Sequence, residues 1–140
     1  MTSMTLAQAL TAALLVEHQA VYGYGVAGAH LSAGGRAQAL RELDTHRLRR
    51  DQLAAMLGAR APVAAAAYAL PYAVHDDVTA RSLCAALEDG CAGAAWDLVD
   101  AAPADSTARG LGVSWLAQSA VSAAHWHGGS PGPALPGQPR

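Results

Sequence analysis

Three glutamates and one histidine stand at positions where a helical pattern points side chains into a protein core. Glu17 lies in the apolar stripe of one segment, Glu42 and His46 are one turn apart in a second, and Glu88 lies in the stripe of a third. An ionised carboxylate is almost never buried without a partner, a metal ion or a shifted pKa. The spacing therefore predicts a polar site inside a helical bundle, with these four residues as candidate metal ligands.

Four alanine-rich segments supply the helices that must position this site. Apolar residues recur every three or four positions, which predicts helices over residues 5–31, 36–57, 77–98 and 107–126. Ala33-Gly34-Gly35 predicts the break after the first helix. Asp76 or Asp77 is expected to cap the third helix, and Asp105 or Ser106 the fourth.

The connections between these segments differ in length, and this predicts the topology. The first and last are short, whereas residues 59–75 form a long apolar connector that contains Pro62 and Pro71. We therefore predict an all-α fold, a ferritin-like four-helix bundle with a long crossover between helices 2 and 3, over residues 1–127. Residues 128–140 are mostly Gly and Pro and are expected to form a disordered tail.

Composition narrows the class of protein. A chain of 140 residues suits one domain, and a formal net charge of -2 with a pI near 6.3 gives no reason to expect a nucleic-acid partner. Charged residues interrupt every apolar segment, so we expect a cytoplasmic protein with no membrane span. The hydrophobic content of 52% favours a homodimer, because one small bundle has limited means to cover so much apolar surface.

Two other motifs, a glycine-rich string and a pair of cysteines, do not indicate a functional site. Gly23, Gly25 and Gly28 spell a GxGxxG, but they sit late in a helical period and follow no strand, so a nucleotide cofactor is not expected. Cys84 and Cys91 are seven residues apart in one helix, too far for a disulfide. We interpret both as small buried hydrophobic residues in a reducing compartment.

Four sequence fragments carry a family resemblance. They are VEHQAVYGYGV (16–26), THRLRRDQL (45–53), AYALPY (67–72) and ALEDGCAGAAW (86–96). With them the chain resembles the ferritin-like superfamily and, more narrowly, an actinobacterial ferritin-like domain family of unknown function. The resemblance implies the bundle fold and brings no established activity.

The superfamily's dimetal motif is only half present in this chain. Its motif places a Glu on each of two helices and a Glu-x-x-His on each of the other two. Glu17 and Glu88 match, but Thr45 stands where the first His belongs, Gln118 stands roughly where the fourth-helix Glu belongs, and Val121 replaces the second His. A full di-iron centre is therefore not expected. A single Fe, Mn or Zn ion held by Glu17, His46 and Glu88 stays open as one interpretation.

The favoured interpretation has no metal: a buried hydrogen-bonded network left over from a metal-binding ancestor, in which an Arg supplies the positive charge. Its predicted members are Glu17, His46, Arg49, Arg50, Glu88 and Gln118. This predicts a non-redox binding or interaction protein whose small-molecule ligand the sequence does not name. The alternative is a metal-binding enzyme or metal-storage relative, and the sequence identifies no catalytic residue.

Overall fold

The computed structural model describes residues 3–128 as four helices and their connections. Helix α1 spans Leu6–Gly28, α2 Ala33–Leu57, α3 Asp77–Ala101 and α4 Thr107–Trp126. A 3-10 turn, Gly58–Arg60, follows α2, and every regular element in the described part of the chain is helical. The predicted all-α four-helix bundle with a long connection between helices 2 and 3 is confirmed.

Side-chain caps fix where three of the helices begin. The Thr5 hydroxyl accepts from the Gln8 amide while the Gln8 side chain accepts from the Thr5 amide, and Asp76 pairs with Thr79 in the same reciprocal way. Ser106 caps α4. Of the two predicted alternatives at each site, the structure therefore uses Asp76 and Ser106.

The predicted break at Ala33-Gly34-Gly35 is wrong, because these residues form the first turn of α2 and the chain turns before them, with Ser32 as the residue preceding the helix. Gly35 serves packing instead. A β-carbon there would lie 3.1 Å from Nη2 of Arg81 and 3.2 Å from Cδ2 of Leu31. A glycine between two helical patterns therefore marks a close approach here, and not a helix end.

The four helices pack as an open series of pairs. Helix α1 packs on both α2 and α3, and α3 packs on α4, whereas within residues 3–128 α2 and α4 show no comparable backbone packing. Two apolar clusters fill the interior, one around Leu14, Leu53 and Leu98, the other around Leu31 and Leu83. A layer of polar side chains lies between these clusters.

Glycines let two of the helix pairs approach closely. A β-carbon at Gly23 in α1 would lie 2.6 Å from Cδ1 of Leu87 in α3. One at Gly112 in α4 would lie 2.9 Å from Cγ2 of Val99 and 3.2 Å from the carbonyl oxygen of Ala95, both in α3. The first glycine of the GxGxxG string therefore has a packing role in the middle of a helix.

The long connection lies against the outside of α1. Nε2 of His18 is 3.2 Å from the carbonyl oxygen of Pro62, and the Gln19 side chain donates to the carbonyl of Ala69 at 3.3 Å. None of the described helices has the length and apolarity needed to cross a membrane. The tail predicted for residues 128–140 lies outside the described residues, apart from Gly128.

Candidate buried ionic site

His46 lies at the centre of the bundle between two carboxylates from different helices. Its Nδ1 is 2.6 Å from Oε2 of Glu17 in α1, and its Nε2 is 2.8 Å from Oε1 of Glu88 in α3. His46 is 0% exposed, Glu88 1% and Glu17 4%. Three of the four candidate metal ligands from the sequence are therefore brought into direct contact, each ring nitrogen facing one carboxylate.

Two aromatic side chains close this centre toward the α4 end. The Tyr24 hydroxyl donates to Oε1 of Glu88 at 2.5 Å, and Nε1 of Trp126 donates to the same hydroxyl at 3.0 Å. The Tyr24 ring also stacks on His46, with ring centroids 5.3 Å apart. Tyr24 thus belongs to both the apolar core and the polar site.

Arg49 supplies a second positive charge on the other side of Glu17. Its Nη1 donates to the Ser119 hydroxyl at 2.9 Å and lies 3.7 Å from Oε1 of Glu17, while Nη2 donates to Oε1 of Gln118 at 3.0 Å. The guanidinium also lies 5.9 Å from the centre of the Trp115 ring. Arg49 is only 3% exposed, so this pairing is made inside the protein.

Arg50 does not belong to this network, which corrects the prediction from sequence. Its side chain is 31% exposed and forms an ion pair with Asp51, with 2.9 Å between Nε and Oδ1. Consecutive helical residues diverge by about 100°, so Arg49 and Arg50 cannot both face the bundle centre. Arg49 and Arg50 lie at about 60° and 40° on opposite sides of His46, so the helical period does not choose between them, and the contacts of Arg49 with Ser119, Gln118 and Glu17 identify it as the inner residue.

Glu42 lies beside the centre rather than in direct contact with His46. Its Oε1 accepts hydrogen bonds from the Ser122 hydroxyl at 2.9 Å and from the Gln38 side chain at 2.7 Å. A Glu42 carboxylate oxygen, a His46 nitrogen and a Glu88 carboxylate oxygen all lie within 4.8 Å of one another. Glu42 is therefore a third carboxylate near the imidazole, with neutral hydrogen-bond donors of its own.

The two carboxylates hold a proton on His46. Burial alone lowers the pKa of this imidazole, but the neighbouring Cys91 and the hydrogen bonds to Glu17 and Glu88 outweigh burial and raise the pKa far above 6.5. Burial raises the pKa of the Cys91 thiol to about 12, so that thiol is neutral near pH 7 and the carboxylates supply the charge. His46 is therefore an imidazolium that donates from both nitrogens.

The pKa of Glu88 is shifted in the opposite direction, below its ordinary value. Burial would raise the pKa of this carboxyl, but the hydrogen bond and charge of His46, together with the Tyr24 hydroxyl, hold its pKa below 4.5. Burial, followed by the charge of Glu88, raises the pKa of the Tyr24 phenol, so Tyr24 stays a donor. The proton positions at the centre are therefore fixed near neutral pH.

The charges of the innermost residues balance. The carboxylates of Glu17 and Glu88 carry two negative charges, and the imidazolium of His46 and the guanidinium of Arg49 carry two positive ones. Adding Glu42 leaves the site with one excess negative charge. That charge lies on the side of the site that faces α4.

Metal-ligating atoms are close together in two sets that share His46. One set is Glu17, His46 and Cys91, and the other is Glu42, His46 and Glu88, each with its ligand atoms within 4.8 Å of one another. A metal takes the lone pair of a neutral imidazole, and here both ring nitrogens carry protons directed at carboxylates. The arrangement therefore suits a metal only after His46 loses a proton.

A cleft opens over the site between α2 and α4, where the backbone packing is missing. It has a volume of about 430 Å³ and is lined by Glu42, Thr45, Arg49, Ala117, Gln118, Val121 and Ser122. Thr45 and Val121, which stand at the superfamily's His positions, line this cleft and not the centre. Glu42 and Arg49 are shared by the cleft and the buried site.

Three residues of α4 that contact the site were not predicted from the sequence: Ser119, Ser122 and Trp126. Ser119 is fully buried and lies four residues after Trp115 and seven before Trp126, which is the spacing of one helical face. A serine between two tryptophans on one face was the signal that could have found it.

Comparisons with known proteins give a family and a fold without an activity. Residues 9–140 match the model of a family described as "Domain of unknown function (DUF4439)". The chain is 37% identical to a conserved hypothetical protein, rv2844, from Mycobacterium tuberculosis, whose crystal structure superposes with a TM-score of 0.78. That similarity covers 85% of this chain and 92% of the other. No curated protein matches the sequence.

Proposed function

Because this chain belongs to the family described as Domain of unknown function (DUF4439), we propose its function from its own site: a non-redox binding protein on a ferritin-like bundle. One observation carries the proposal. The imidazole of His46 lies between Glu17 and Glu88, with 2.6 and 2.8 Å between the hydrogen-bonded atoms, so each ring nitrogen faces a carboxylate oxygen. His46, a candidate metal ligand, would instead act as a cation toward the carboxylates of Glu17 and Glu88.

The charge balance supports this proposal. Buried carboxylates need positive charge nearby, and in a carboxylate-bridged metal centre the ions supply it. Here His46 and Arg49 supply two positive charges, and Arg49 is held further by Ser119 and Gln118. A metal would have to displace a proton and then lie near a guanidinium, and both steps oppose its binding.

We place the binding site in the cleft between α2 and α4. Its lining includes the carboxylate of Glu42 and two small apolar side chains, Ala117 and Val121. Arg49 lines it too, but its guanidinium already donates to Ser119 and Gln118, which leaves Glu42 with the excess charge. A ligand with one cationic group and a short apolar body complements both features. Such a ligand would place its ammonium on Glu42 and its apolar body on α4.

Calorimetric titration with n-pentylammonium tests this binding site, with n-pentanol as the uncharged comparison. We expect the ammonium to bind and the alcohol not to bind measurably. Glu42→Gln should weaken ammonium binding about tenfold or more, since one charge-assisted hydrogen bond is lost. Asp97→Asn removes an exposed carboxylate on α3 and serves as the matched control. Equal binding by Glu42→Gln and the wild type would reject the cleft as the site.

A single-metal protein is the second candidate function, and the two sets of ligand atoms around His46 favour it. Oε2 of Glu88 supports it as well, because this buried atom has no hydrogen-bond partner among the described residues. The chelator-free protein should contain far less than one metal per chain if the first proposal holds. One equivalent of Fe, Mn or Zn that disappears in Glu88→Gln would establish the metal protein instead.

The remaining parts of the proposal concern the cell and the assembly. We infer a cytoplasmic protein, since both cysteines are free thiols and a reducing compartment keeps them so. We infer that residues 1–127 form one bundle domain. A homodimer is supported by large apolar side chains that stand exposed on α2, among them Leu40 and Leu48.

A further inference from the structure

The outer face of α2 carries an ordered row of exposed side chains. Arg41, Asp44, Arg47, Leu48 and Asp51 are all exposed, and Leu48 is 61% exposed. At about 100° per residue these five positions fall within roughly one third of the helix circumference. The face lies opposite His46 and Arg49, and therefore points away from the buried site.

The charges along this row alternate. In chain order they are positive at Arg41, negative at Asp44, positive at Arg47 and negative at Asp51. Read in the reverse direction, the same row begins with a negative charge. Two copies of α2 placed antiparallel therefore oppose every charge with one of the other sign.

The positions of the charges agree on a single two-fold axis. Residues 41 and 51 share a midpoint with residues 37 and 55, at position 46, and the midpoint of 44 and 47 is half a residue away. Ala37 and Ala55 are both exposed, so the ends of the face are small enough for two helices to approach. Leu48 lies two residues from the axis, so the two copies of Leu48 stand on either side of it, about 6 Å apart along the helices.

Within one chain these charges have only weak partners. Arg47 and Asp44 form an exposed pair at 3.3 Å, and Asp51 pairs with its neighbour Arg50. Exposed pairs of this kind contribute little to folding. The row is therefore free to exchange its partners with a second copy.

We propose that a second copy of this chain docks on the outer face of α2, antiparallel, about a two-fold axis near residue 46. Arg41 pairs with Asp51 of the partner subunit and Asp44 pairs with Arg47 of the partner subunit, each pair occurring twice by symmetry. The two Leu48 side chains flank the axis and supply the apolar surface of the interface. The face is separate from the α2/α4 cleft, so the interface does not depend on what the cleft binds.

Charge exchange between the two ends of the row tests the interface. The mass in solution, measured by sedimentation equilibrium over a range of concentrations, should be that of a dimer for the wild type. Arg41→Glu and Asp51→Arg should each weaken the dimer about tenfold or more, because two symmetry-related pairs change from attraction to repulsion. The double variant Arg41→Glu, Asp51→Arg should restore the dimer.

Controls separate the interface from folding and from general charge effects. Arg60→Glu reverses an exposed charge outside the row and should leave the dimer unchanged. Helix content by circular dichroism should be the same in all variants. A monomeric wild type at every concentration would overturn the proposal, as would a double variant as weak as the single ones. Neither result bears on ligand binding at Glu42.

Discussion

His46 stands one residue after the position at which the resemblance to the ferritin-like superfamily implies a histidine ligand. Thr45 occupies the ligand position and lines the cleft, hydrogen bonded to the carbonyl of Arg41. His46 is rotated by about 100° from it, which places the imidazole between Glu17 and Glu88. A histidine at position 46 therefore contacts both carboxylates directly.

Replacing His46 should cost much of the stability of the fold. In His46→Gln the amide can donate to one carboxylate only, and Glu17 and Glu88 remain buried with Arg49 as their one cation. Removing one partner of a buried pair costs about 3–5 kcal/mol. Urea unfolding measures this loss. His30→Gln changes an exposed histidine and should alter stability by less than about 0.5 kcal/mol; similar small losses in both variants would contradict the ionic centre.

The two shifted pKa values also predict how stability depends on pH. The pKa of folded His46 is raised, so its contribution is full below pH 6.5 and is lost as the pH rises, by about 1.4 kcal/mol per pH unit. The pKa of folded Glu88 is lowered, so its contribution is present above pH 4.5 and is lost on acidification. Stability should therefore be greatest between pH 4.5 and 6.5. His46→Gln should abolish the slope between pH 6.5 and about 8, below the range in which the buried thiols titrate in the unfolded chain. Parallel curves for the two proteins in this range would refute the assignment.

At the level of elements, α3 and α4 approach through Gly112, and this contact can be tested against a nearby glycine. A β-carbon at Gly112 meets both a side chain and the backbone of α3, so Gly112→Ala should destabilise the protein by about 1–3 kcal/mol. Gly110→Ala, in the same helix with open space around it, should stabilise by about 0.5–1 kcal/mol. Equal changes in the unfolding midpoint would show that the two helices are not in close contact.

The helices were predictable because apolar residues repeat at their period over more than 20 positions, with caps such as Asp76 and Ser106 at the ends. The packing roles of the glycines were not predictable in this way. Gly34 and Gly35 look like a helix stop in sequence, and only the nearby Arg81 and Leu31 side chains show why the helix contains Gly35. The choice of Arg49 over Arg50 likewise needs the rotation of α2 about its axis, which follows from packing on α1 and cannot be set by local sequence.

On the scale of the whole molecule, the helices pack in the order α2, α1, α3, α4, with α2 at one end of the series. Helix α2 is therefore anchored by α1 and by the side chains that reach the centre, mainly His46 and Arg49. We expect amide hydrogen exchange to be faster in α2 than in α3, which packs on two helices. His46→Gln should accelerate exchange in α2 more than in α3. If α2 were the most protected helix, this order of stability would be wrong.

The buried cysteines make the interior of α3 accessible to a simple chemical measurement. Cys84 and Cys91 are both buried, and burial raises the pKa of each thiol to about 12. An alkylating reagent therefore reaches a reactive thiolate only when the helix leaves the bundle and both barriers disappear together. The rate at which iodoacetamide labels these two side chains therefore measures how often the ionic centre opens, and no cysteine has to be introduced for the measurement.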